Sequence, residues 1–267
     1  MTLIPVDKSA GRDDEALGAC QRNFADGSTA PTVGVRRDLL ELFIGYGLIL
    51  LAIWTPQPMQ RVFDWAALVW VLLVTGPGLE DWRAMGFRVS GSLRSLWVVG
   101  VALLLAAAAV SVAHQLHTLH LPGNPGGIVA RYWGYAIWAF LQQFLLQDFV
   151  LLRLLRLLRE PKVAVASAAG LFALAHLPNP ILTATTVIWG YVACLLFLRY
   201  RSIYSLAVAH AIFGICVATT IPIAVNHNMR VGLGYLTFRQ AANQRSQKDH
   251  IVSTAAWVMA EAPRRRS

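Results

Sequence analysis

Residues 131–160 read RYWGYAIWAFLQQFLLQDFVLLRLLRLLRE. A run of apolar and aromatic side chains long enough to cross a bilayer is interrupted by Gln142, Gln143 and Gln147. Trp133, Tyr135 and Trp138 mark one end and Arg153, Arg156 and Arg159 the other, as in a span anchored at two interfaces. Polar groups at membrane depth are costly unless they face protein or a water-filled cavity, so the glutamines are candidate site residues. With about 3.6 residues per turn, Gln143 and Gln147 stack on one helix face with Gln142 beside them. A plainer role stands next to the functional one: amides that bond to neighbouring helices and hold a bundle together.

Outward from this stretch the same composition continues. Of 267 residues 56% are hydrophobic and 14% charged, too apolar for an ordinary soluble domain. The excess lies in seven runs, 39–55, 63–78, 95–116, 132–152, 163–177, 181–198 and 203–225. Helices are the expected form, because each segment must satisfy its own backbone in lipid, and the alternation of a β-barrel is absent. The expected fold is therefore all-α, a polytopic transmembrane bundle of about seven to eight spans. Residues 1–37 read as a polar tail, 38–226 as the helical domain and 227–267 as a second polar, basic tail. Cys20, Cys194 and Cys216 suggest neither a disulfide framework nor a cysteine metal site.

The net charge of +9 raises nucleic acid as a partner, but the positions of the charges speak against it. Outside the spans, Lys and Arg number five in 1–38, then one, three, one, four, none and two in successive loops. That alternation follows the positive-inside pattern, with the N-terminus cytoplasmic and the basic residues beside anionic lipid heads. The seven basic residues of the C-terminal tail break it. An eighth, re-entrant segment within 227–245 would restore it.

Two histidines share the depth of the glutamines. His176 ends the small-residue-rich run AVASAAGLFALAHLPNP (164–180), whose alanines and Gly170 suit close helix approach. Pro178 and Pro180 stop that helix after about 15 residues, short of the roughly 20 needed to cross. His210 lies early in the last run. At about 1.5 Å per residue, Gln142 lies roughly 16 Å from Arg153, His176 roughly 20 Å from Val163 and His210 roughly 12 Å from Ser202. The economical expectation is one shared pocket at mid-membrane.

The order and spacing of these residues resemble the CPBP family of intramembrane proteases, which includes CAAX prenyl endopeptidases and bacteriocin-processing or immunity proteins. Its motifs are EExxxR, FxxxH and Hxxx(N/D). Here the first is matched in position by Gln142, Gln143 and Gln147, the second by Phe172 and His176, and the third by His210 followed by Gly214. The resemblance spans 131–216 and includes the continuation HLPNP. It implies an intramembrane endopeptidase acting on a membrane-associated peptide or protein, in the bacterial inner (plasma) membrane. It implies catalytic roles for Gln142, Gln143, Gln147, His176 and His210, with Phe172 and Asn179 at the substrate.

The departures bear on chemistry. In the family the first glutamate is thought to activate water, while the histidines and asparagine bind an oxyanion or a metal. A carboxamide has essentially no basicity, so Gln142 cannot be a general base. Hydrolysis then requires a histidine as base, with a glutamine orienting water or donating to the oxyanion. Two histidines without carboxylates make a poor divalent-metal site, which leaves the cofactor open. Asp148 points away from the glutamines and is expected to pair with Arg153 or a neighbouring helix. Glu41 is expected to snorkel or to pair with Arg36 or Arg37. His114, His117 and His120 suit an interface better than a metal site. Two rivals remain: a non-catalytic relative that binds a membrane peptide or partner as scaffold or immunity protein, and a small transporter or channel.

Overall fold

The computed structural model describes residues 31–76, 85–87, 89–121 and 125–241. Most of the polar N-terminal tail, Cys20 and the apolar stretch 251–260 lie outside the described residues.

Helix α1 (Pro31–Trp54) turns back into α2 (Met59–Thr75), and the short α3 (Val89–Arg94) leads into α4 (Leu96–Gln115). Next, α5 (Pro125–Phe144) runs through a π-helical segment (Leu145–Leu151) into α6 (Leu152–Leu157). Then follow α7 (Pro161–Leu174), α8 (Pro180–Tyr200), α9 (Tyr204–Thr220), α10 (Ile223–Asn226), a 3₁₀ turn (His227–Met229) and α11 (232–241). Among the described residues the β-structure is one isolated bridge, Phe87 to Ser202. The fold is all-α.

Each of the seven apolar runs holds helix, but among the described residues length and apolarity sufficient to cross a membrane belong to three: Leu96–Gln115, Tyr132–Leu157 and Pro180–Tyr200. A fourth is reached if α9 counts together with α10 and the 3₁₀ turn, a pair bent by 118°. The expected seven to eight spans are not confirmed by this measure. Pro161–Leu174 is apolar but short, as the prolines after it require. Leu103, Leu104 and Leu105 on α4 are exposed, which suits lipid on that face.

Lipid is as apolar as the side chains it touches, so packing rather than water exclusion must hold such helices together. The α7–α8 pair shows how. Ala164, Ala168, Ala169 and Ala173 are buried, and a Cβ on Gly190 would stand 3.2 Å from the Phe172 ring and 3.4 Å from Ala169. Gly190, on the facing helix, is thus the glycine of the close approach. Gly170, expected in that role, meets nothing within 4 Å.

A charged cluster ties α1, α2 and α6 together. Arg153 donates to Glu41 Oε2 from Nε at 3.0 Å and from Nη2 at 2.8 Å, and to the Phe149 and Val74 carbonyls at 3.0 and 3.1 Å. Arg37 Nε reaches the other Glu41 oxygen at 2.7 Å. The expected Glu41–Arg37 pair forms, and Arg153 joins it from 112 residues away. For Asp148, expected to pair with Arg153 or a neighbouring helix, Arg153 Nη1 reaches only the backbone carbonyl, at 3.5 Å, and the buried carboxylate has no hydrogen-bond partner among the described residues. Arg201 is the cation acting on it.

Candidate active site

The helix carrying the glutamines is regular to Phe144 and then widens into the π-helical turn. Such segments are short, and they recur at functional sites because they re-aim side chains. Here the widening begins between Gln143 and Gln147. Both glutamines are fully buried, and Gln147 Nε2 donates to Gln143 Oε1 at 3.2 Å. With its oxygen engaged, Gln143 turns its Nε2 to His210 Nδ1 at 3.0 Å. Cys194 sets its buried thiol beside Gln147. This donor order assigns the His210 tautomer: Nδ1 accepts, so the proton of the neutral ring sits on Nε2.

His176 takes the opposite tautomer. It follows the end of α7, where the His176 N–H still donates to Ala173 O at 2.9 Å. Its Nδ1 lies 2.7 Å from the Phe172 carbonyl, which can only accept, so Nδ1 carries the hydrogen and Nε2 keeps the lone pair. Gln142 Nε2 stands 3.4 Å from that lone pair, a long contact for a hydrogen bond. The Phe172 ring braces both imidazoles edge-on, with centroids 4.9 Å from His176 and 5.9 Å from His210. Trp189 stands 6.3 Å from His210. Two imidazoles of one neighbourhood thus offer opposite functions, a basic nitrogen on His176 and a donor on His210.

Gln142, Phe172, His176 and His210 line one cavity of about 1460 Å³. That exceeds the usual 300–1,000 Å³ of small-ligand pockets and suits a longer, apolar occupant. Its wall is mostly apolar and aromatic, with Tyr46, Tyr135, Trp138 and Trp189 among the residues lining it. Gln143 and Gln147 stand behind this wall and hold His210 from the rear.

Asn179, expected at the substrate, is fully buried and spent on the chain reversal. Its Oδ1 caps α8 by accepting from Leu182 N at 3.2 Å. Its Nδ2 donates to the Asn226 and Arg230 carbonyls at 2.8 and 3.1 Å. Gly232 N–H bonds Leu177 O at 2.7 Å. Asn179 therefore fastens the segment after the bend of α9 against the HLPNP turn, and so fixes His176 indirectly.

The donor set does not suit a divalent metal. Among the described residues no three His, Cys, Asp or Glu side chains converge, and the side chain nearest each histidine's ring nitrogens is a neutral carboxamide, Gln142 at His176 and Gln143 at His210. His114, His117 and His120 make no such group either; the His120 N–H bonds Thr219 O at 2.8 Å and joins the end of α4 to α9.

Sequence reasoning missed two cavity residues. Tyr135 reads as an interfacial anchor, yet it lies seven residues before Gln142 and so on the same helix face. Trp189 carries no polar signal and is placed only by packing against His210.

The Rce1-like family of type II CAAX prenyl endopeptidases matches residues 135–216, under a third of the chain. The matched segment holds Gln142, Gln143, Gln147, Phe172, His176 and His210, and it bears out the resemblance carried by the three motifs. No curated protein and no solved structure matches.

Proposed function

We propose that this CAAX-protease-like membrane protein binds a membrane-embedded peptide in its cavity and hydrolyses it with His176 as the base. The single observation that carries the reading is the arrangement on the cavity wall, where His176 Nδ1 is held by the Phe172 carbonyl at 2.7 Å and His210 Nδ1 by Gln143 at 3.0 Å, which leaves Nε2 of each ring as its reactive nitrogen. A water molecule that replaces the long 3.4 Å Gln142 contact at His176 Nε2 gives its proton to His176 as its oxygen attacks the peptide carbonyl. His210, held from behind by Gln143, donates from Nε2 to the developing oxyanion. The imidazolium of His176 then returns the proton to the leaving amine. Charge stays off the amides throughout, which suits a site that excludes water.

Orientation belongs to the same proposal: the N-terminus and the Arg153–Lys162 loop lie on the cytoplasmic side of a bacterial inner membrane, as the basic residues suggest. A cysteine at position 157 then escapes impermeant reagents applied to intact cells.

The test uses purified protein in lipid vesicles, a panel of single-span membrane peptides and mass spectrometry of the products. The expected result is two fragments with the natural protein and intact peptide with His176→Ala. One observation favours a second reading, a non-catalytic peptide binder: among the described residues no carboxylate bonds either histidine. Peptide bound but left intact by both proteins selects that reading. No binding at all removes both.

A further inference from the structure

We infer that the Tyr135 hydroxyl is the cavity's substrate-facing hydrogen-bond donor, set one turn from His210 in a space that glycine at 214 leaves open. The inference rests on the proposed peptide-binding role of the cavity and adds a residue that none of the three motifs contains.

Gly214 is four residues after His210, so both face the same side of α9. A Cβ built at Gly214 overlaps the Tyr135 hydroxyl, and its three nearest neighbours are all atoms of that phenol. The tip of Tyr135 therefore occupies the volume that any other residue at 214 would fill. Tyr135 lies on α5, on the face that also carries Gln142, and both line the cavity together with His210 and Gly214.

The hydroxyl makes no hydrogen bond among the described residues, in contrast to Tyr46, whose hydroxyl donates to Leu171 O at 2.9 Å. A phenol hydroxyl on the cavity wall without a protein partner is open to one brought by a ligand. His210 cannot satisfy it through Nδ1, which Gln143 already occupies. A peptide carbonyl entering the cavity beside His210 can. It would accept from the Tyr135 O–H about one helical turn away from the carbonyl that His176 addresses. Tyr135 thereby sets the register of the bound peptide.

The experiment is binding of a fluorescent single-span peptide of about 20 residues to the protein in nanodiscs, with thermal stability measured alongside. Tyr135→Phe removes one oxygen and nothing else. Its Kd should rise about three- to tenfold, the range of one lost neutral hydrogen bond, at unchanged Tm. Where cleavage is measurable, KM follows Kd while kcat holds within about twofold, a split that a packing role would not produce. Gly214→Ala should weaken binding similarly by pushing the phenol aside, and adding it to Tyr135→Phe should change nothing further. Tyr135→Phe binding as tightly as the natural protein, or fully additive losses in the double variant, overturns the inference alone. A natural protein that binds no peptide overturns it together with the proposed function.

Discussion

Two polar clusters of this molecule are built from different chemistry. Where α1, α2 and α6 meet, Glu41, Arg37 and Arg153 form a charged knot bound by hydrogen bonds of 2.7–3.1 Å. Around the cavity, Gln142, Gln143, Gln147, His176 and His210 form a neutral network with bonds of 3.0–3.4 Å. In the charged knot the buried Arg153 guanidinium is spent on fold contacts, to Glu41 and to the Phe149 and Val74 carbonyls. In the neutral one, His176 Nε2 has only a long 3.4 Å contact with Gln142, and both histidines line the cavity. A buried ion pair resists loss of either partner, whereas carboxamides and imidazoles can trade partners without stranding a charge. The first cluster is scaffold, and the second is the one the proposed function uses.

The largest expected effect lies in the scaffold. Arg153→Ala leaves Glu41 with the exposed Arg37 as its remaining partner and frees the Phe149 and Val74 carbonyls. It should cost about 3–5 kcal/mol, read by denaturation in detergent. A loss no greater than that of the next variant would erase the distinction between the clusters. Gln143→Leu leaves His210 Nδ1 and the Gln147 amide unpaired, at about 1–3 kcal/mol. It should also weaken peptide handling, which Arg153→Ala should do only through unfolding.

The third prediction sharpens the contrast by converting one cluster into the other. Because Gln147 bonds Gln143 and not Gln142, the pair to restore is Gln143→Glu with Gln147→Arg. Each single change buries a lone charge and destabilises. The double variant should be more stable than the sum of the two by about 1–3 kcal/mol. Strict additivity would mean that the two side chains no longer meet. The smallest effect belongs to Arg156→Ala. Arg156 pairs with Asp38 at 2.7 Å but is 36% exposed, so about 1 kcal/mol or less is expected.

The helices and the shared depth of Gln142, His176 and His210 were legible because apolar runs, prolines and rise per residue are local quantities. What escaped the sequence is non-local. Arg153 finds Glu41 across 112 residues, and nothing near Arg153 announces it. The π-helical turn at 145–151 has no compositional sign, so a regular helix put Asp148 on a face from which a partner seemed reachable. Asn179 sits between two prolines in a family-like motif, yet its role depends on Asn226 and Arg230. Tyr135 is one more aromatic near a helix end until Gly214 on another helix shows where its hydroxyl goes.

The claim at the centre is that the neutral cavity receives the substrate. A single-span peptide carrying a diazirine at its midpoint, irradiated with the protein in nanodiscs and mapped by mass spectrometry, tests it directly. Adducts on cavity-wall residues of α5, α7 and α8, at Trp138, Phe172 and Trp189, are the predicted result, lost on competition with unlabelled peptide. Adducts confined to lipid-facing positions such as Leu103 and Leu104 on α4 would contradict it.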